Sequence, residues 1–201
     1  ANNFTTARAL ACSVAYNGYL YSIGGSTSDS GGNNIASIYY TAITASTGNV
    51  GTWSSTTALP ENRGSAGCTA FGGYLYVISG YTGTNTALTT VRYAPINSNG
   101  TIGTWITTAP SLPFNKLRAG IFTYTTSSGT YLYVIGGETQ GSGGNTPKSY
   151  YSLIGSSGSL GAWSTASNDL SASHTYRSYA QVGKYIYAIG GWLASPATAY
   201  T

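Results

Sequence analysis

The chain has 201 residues, 41% of them hydrophobic and 13% aromatic but only 6% charged, with a net charge of +4. That is apolar material enough for one domain, yet no uninterrupted run approaches the roughly 18 apolar residues of a membrane span, and the eight basic residues are scattered, without the cluster a phosphate backbone demands. We therefore expect neither a membrane span nor a nucleic-acid partner, and the neutral, hydroxyl-rich composition, with Ala first and no Met, suits a processed chain that is secreted or held at a cell surface.

The first element signalled is a hairpin. "CSVAY" from Cys12 and "YLYSI" from Tyr19 flank Asn17-Gly18, a strong short-range hairpin signal, and the second run closes on Gly24-Gly25. After a polar stretch comes "ASIYYTAI", a third strand, then a turn with Gly48 and Gly51 that delivers Trp53 and a fourth. This order recurs along the chain. The hairpin tyrosines stand at Tyr19, Tyr74, Tyr131 and Tyr185, so the intervals are 74−19=55, 131−74=57 and 185−131=54; Arg8, Arg63, Arg118 and Arg177 precede them, and Trp53, Trp105 and Trp163 follow the first three. The repeats run over 8–62, 63–117, 118–176 and 177–201, the last incomplete, within one continuous domain 1–201. Four strands in each repeat of about 50 residues, with no helical stretch between them, predict an all-β protein of four-stranded antiparallel blades. The second strand lacks clean apolar/polar alternation, so both of its faces should be covered.

These residues resemble the kelch family: the strand ending in Gly24-Gly25, Gly136-Gly137 and Gly190-Gly191, the later Tyr40, Tyr93 and Tyr151, the later Trp, and the Arg before the next first strand. The similarity covers essentially the whole chain and implies a kelch-type β-propeller. Two features depart from the family pattern. Ser79-Gly80 replaces the doublet in the second repeat, and the Tyr-to-Trp spacings, 53−40=13, 105−93=12 and 163−151=12, exceed the usual one, as in bacterial surface kelch-like proteins. Kelch rings usually hold six or seven blades, so the resemblance implies a larger ring or assembly, completed by further blades from the same or another chain.

The chemical inventory is thin. The acids are Asp29, Glu61, Glu138 and Asp169, and His174 is the only histidine. Neither a carboxylate pair, a Ser-His-Asp set nor a transition-metal site can be assembled from them with any specificity. The paired histidine ligands of a kelch copper oxidase and the upstream Asp of sialidase turns are missing too. We expect no catalytic residue, metal or cofactor. Cys12 and Cys68 lie seven and six residues before their repeat tyrosines, so their side chains should point to opposite faces of equivalent strands, and two small buried thiols are favoured over a disulfide.

Binding is the remaining reading. In some kelch propellers the Arg before the first strand lies near the central channel and binds acidic ligands; the resemblance carries this to Arg8, Arg63, Arg118 and Arg177, whose guanidinium groups can grip carboxylates. The alternative is that each arginine caps backbone carbonyls between blades. The loops after the doublets differ from one another, and two of them open on aromatic residues, Tyr81 and Trp192, which can act as flat platforms for sugars or peptides or as packing residues. The function expected is a non-enzymatic extracellular recognition module for a glycan or protein ligand, an acidic one if the arginines are used. The alternatives are a segment of a propeller enzyme whose catalytic residues lie outside this chain, and a structural component of a surface assembly.

Overall fold

The computed structural model describes residues 6–28, 32–83, 86–140, 147–170, 174–175 and 177–193. Over these residues the chain is all-β and antiparallel, with no helix. The first sheet is a meander of β1 (Cys12–Tyr16), β2 (Tyr19–Ile23), β3 (Ile38–Ala42) and β4 (Ser54–Thr56). Its first turn has Asn17 and Gly18 both at positive φ, 47° and 80°, as a two-residue hairpin requires. The second sheet holds β5 (Gly67–Phe71), β6 (Tyr74–Ile78) and β7 (Val91–Pro95). Its expected fourth strand is reduced to one bridge, Tyr93 to Ile106, beside which Arg92 folds back to donate to the carbonyls of Val91 (3.1 Å) and Thr107 (3.3 Å). The third sheet is again a four-stranded meander: β8 (Gly120–Thr126), β9 (Gly129–Ile135), β10 (Tyr150–Ile154) and β11 (Ser164–Thr165). Two short pairs follow, β12 (His174–Thr175) with β15 (Trp192–Leu193), and β13 (Ser178–Val182) with β14 (Tyr185–Ile189).

Neighbouring sheets approach through their first strands, β1 to β5, β5 to β8 and β8 to β13, whereas β13 and β1 make no such approach. The core lies between sheets rather than within any one of them. Val14, Tyr21, Ile23 and Ile38 of the first sheet pack on Leu75, Val77 and Ala94 of the second. The other face of the second sheet, with Tyr76, Ile78, Val91 and Tyr93, packs on Leu132, Val134 and Tyr150 of the third. Strand β6 is therefore covered on both faces: Leu75, Tyr76, Val77 and Ile78 are all 0% exposed, which is why its sequence does not alternate.

One polar contact recurs at these joints. The Tyr21 hydroxyl donates to the Gly100 carbonyl (2.8 Å) and the Tyr76 hydroxyl to the Gly158 carbonyl (2.9 Å), in each case reaching the hairpin between third and fourth strands of the next repeat. Those glycines have φ of 83° and 73°, and a Cβ on either would lie 2.5 Å from the ring of Tyr19 or Tyr74. Glycine is required there for both reasons.

The expectation of two free thiols is corrected. Cys12 and Cys68 form a disulfide, with Cα atoms 6.1 Å apart. The two side chains do leave opposite faces of equivalent strands: Cys12 faces Ile23 across its hairpin, where the second repeat has Gly67 facing Ile78. Adjacent sheets, however, meet with opposite faces, so this one-residue offset is what brings the sulfurs together.

Candidate functional site

Strand register gives the repeats a common frame. Cys12, Gly67, Gly120 and Ser178 open the first strands opposite Ile23, Ile78, Ile135 and Ile189. Four residues before each stand Arg8, Arg63, Lys116 and His174, since 12−8, 67−63, 120−116 and 178−174 all equal 4. The basic series is thus not the one the arginines suggest. Arg118 occupies the place of Leu10 and Ser65, and Arg177 that of Ala11 and Ala66. The cause in the third repeat is its first hairpin, whose strands β8 and β9 have 7 residues each against 5 in the first two repeats.

Arg8 donates from Nη1 to the carbonyls of Gly24 (3.0 Å) and Ser37 (3.2 Å) and from Nη2 to Ser37 Oγ (3.1 Å), with its guanidinium 4.8 Å from the centre of the Tyr39 ring. Arg63 repeats the arrangement one sheet further on, donating to the carbonyls of Ser79 (2.6 Å) and Thr90 (2.9 Å) and to Thr90 Oγ1 (2.7 Å). Where the first sheet offers the Tyr39 ring, the second has Arg92, and Glu61 sits between the two guanidinium groups, paired with both. Burial lowers the Arg63 pKa while the Glu61 carboxylate raises it. At 1% exposure Arg63 presents no surface to a ligand; its geometry is that of a carbonyl cap.

Lys116 takes the same place in the third repeat. It is 0% exposed, with Nζ 5.6 Å from the centre of the Tyr150 ring. Burial pushes its ammonium down to about 8, Asp169 opposing, and burial likewise raises the Tyr150 hydroxyl. The sequence signal was present: Tyr19, Tyr74 and Tyr185 each follow Arg8, Arg63 and His174 by 11 residues (19−8, 74−63 and 185−174), and the longer hairpin makes it 131−116=15 at Lys116.

The more open part of this region is the edge carrying the loops after the doublets. Ser26, Tyr81 and Glu138 hold equivalent positions, bridging to Ala9, Gly64 and Leu117, and the backbone pair Thr175–Trp192 continues the series. Tyr81 and Trp192 therefore share one edge, as do Glu138 and its ion-pair partner Arg118, whose side chains are 29% and 19% exposed. Leu10, Ser65 and Arg118 all have φ of 55°, and their backbones are linked in series, Ser65 N–H to Leu10 O (2.9 Å) and Arg118 N–H to Ser65 O (3.0 Å). Arg177 is half-buried, just ahead of β13.

The loops are tied to one another across the sheets. Asn34 Nδ2 donates to the Thr82 carbonyl of the next repeat, and Gln140 Oε1 accepts from the Ala87 N–H (2.9 Å) of the previous one. Asn115 Oδ1 in turn accepts from the Gln140 N–H (2.8 Å), and its Nδ2 donates to the Gln140 carbonyl (3.3 Å). These amides carry no signal in the sequence, because their reach depends on the spacing between sheets. Asp29 lies outside the described residues. Among the described residues no three His, Cys, Asp or Glu side chains come together as metal ligands would, and no helix is long and apolar enough to cross a membrane. No family model matches the chain, and no curated protein matches it either.

Proposed function

We propose that this chain is a kelch-type β-propeller segment acting as a non-enzymatic recognition module, outside the cell or on its surface, that binds a glycan or protein through the doublet loops. The observation that carries this reading is the loop edge itself: segments equivalent in position and different in sequence, set on a repeated scaffold and joined by the Asn34, Asn115 and Gln140 amides. Tyr81 and Trp192 supply aromatic residues to that edge, and Arg118, partly exposed beside Glu138, is the arginine best placed to meet an acidic group. The Cys12–Cys68 disulfide suits an oxidising compartment.

A glycan array, run alongside hydrolase and oxidase assays, tests it. Binding should appear without turnover and weaken in Arg118→Ala or Tyr81→Ala with at most a small fall in melting temperature. Turnover that is lost in Glu138→Gln would refute the reading, as would binding that both substitutions leave intact.

A further inference from the structure

Among the described residues the last hairpin leaves one face bare. Val182, Tyr185, Tyr187 and Ile189 are 65%, 60%, 49% and 60% exposed. In the register of the fold Tyr185, Tyr187 and Ile189 correspond to Tyr74, Tyr76 and Ile78 of the second sheet and to Tyr19, Tyr21 and Ile23 of the first. In those sheets this face packs on the next repeat, stacks its first tyrosine on a hairpin glycine and donates its second hydroxyl to that glycine's carbonyl.

The opposite end of the array carries the matching half. Gly48 is the hairpin glycine of the first repeat, has φ of 71°, and a Cβ built on it meets nothing within 4 Å, whereas its counterparts Gly100 and Gly158 lie under tyrosine rings. The outward face of the first sheet also holds an open cavity of about 370 Å³ lined by Leu20, Ser22 and Trp53 together with Arg8 and Leu10. The equivalents of Leu20 and Ser22 in the second sheet, Leu75 and Val77, are buried against a neighbour.

We propose that the bare face of the last hairpin docks onto the outward face of the first sheet in a second copy of this chain, carrying the sheet-on-sheet stacking from one molecule to the next. The contact is head to tail, with Tyr185 over Gly48, the Tyr187 hydroxyl on the Gly48 carbonyl and Ile189 against the first sheet. A second copy is the occupant because this chain itself holds both halves of a joint it already makes twice internally, and because β13 and β1 do not meet within one molecule. Ser13 and Ser22 stand where the internal joint has Cys68 and Val77, so the intermolecular joint is the more polar and the weaker one. A heterologous contact of this kind either closes a ring of copies or extends as a chain.

Sedimentation of the wild-type chain from low to high micromolar concentration should show concentration-dependent association. Tyr187→Asp spoils the donor face and Leu20→Arg the acceptor face, so each variant alone should stay monomeric, while an equimolar mixture, retaining one intact pair of faces, should form dimers and stop there. Tyr187→Phe removes only the hydroxyl and should raise the dissociation constant roughly 2- to 12-fold. Melting temperatures of the three variants close to that of the wild-type monomer establish that they fold. A wild-type chain that remains monomeric throughout, or variants that associate as it does, would overturn the proposal; neither result bears on ligand binding at the loop edge.

Discussion

Raising the pH should stabilise this protein through Lys116. The ammonium is fully buried, with a pKa pushed down to about 8, against an ordinary value of 10.5. Between those values the unfolded chain binds the proton and the folded chain has released it, so stability rises with pH across that window and the penalty is present in full below about pH 8. Each unit of difference is worth about 1.4 kcal/mol, and integrating from pH 7 to pH 9.5 gives a gain of about 2 kcal/mol. Tyrosines work in the opposite sense at higher pH: burial pushes Tyr21 up to about 12 and raises Tyr76 as well, so their ionisation in the unfolded chain erodes stability above pH 10. Urea unfolding followed by tryptophan fluorescence at half-unit steps, for wild type and Lys116→Met, isolates the lysine because the tyrosine contribution is common to both. The difference in unfolding free energy between the two proteins should shrink or grow by about 2 kcal/mol from pH 7 to pH 9.5 in the direction that favours wild type at high pH. A difference independent of pH would show that Lys116 is solvated, and the reasoning from its burial would fail.

Arg63→Ala should cost about 3 kcal/mol or more, because it strips the Ser79 and Thr90 carbonyls and Glu61 of a buried donor; thermal melts of Arg63→Ala and Arg118→Ala should show a large shift for the first and a small one for the second. Replacing Cys12 and Cys68 by Ser removes a cross-link between residues 56 apart and should lower stability by about 4 kcal/mol on chain-entropy grounds, read as a fall in the urea midpoint that reduction of the wild type reproduces. Tyr76→Phe deletes the bond to the Gly158 carbonyl and should cost about 1 kcal/mol with no change in ligand binding.

The all-β meander was legible because its signals are local. Asn17-Gly18 dictates a two-residue turn, and the unbroken apolar run of Leu75 to Ile78 already implies burial on both faces. What stayed hidden depends on how one sheet meets another. Within a single strand the one-residue cysteine offset separates the two groups to opposite faces, whereas between stacked sheets opposite faces meet. The basic series runs through like positions and not like residues: Arg118 matches Arg63 in type, but the four extra residues of the β8–β9 hairpin move the equivalent place to Lys116. Amide ties such as Asn34 to Thr82 and Ala87 to Gln140 join residues 48 and 53 apart and carry no short-range signature.

The cross-link also sets how the molecule would yield to force. It joins the first strands of the first two sheets, so that 56 residues of sequence are closed into a covalent loop. A chain drawn out by its ends would surrender the last hairpin, the third sheet and strands β6 and β7 of the second, but the stretch between Cys12 and Cys68 would be bypassed by the applied tension. The fully extended contour would fall short by roughly 190 Å at about 3.4 Å per residue, and reduction would restore that length in a single step. Under such a load the loop would act as a latch: the first sheet, β1 to β4, is spared the tension that opens everything behind Cys68.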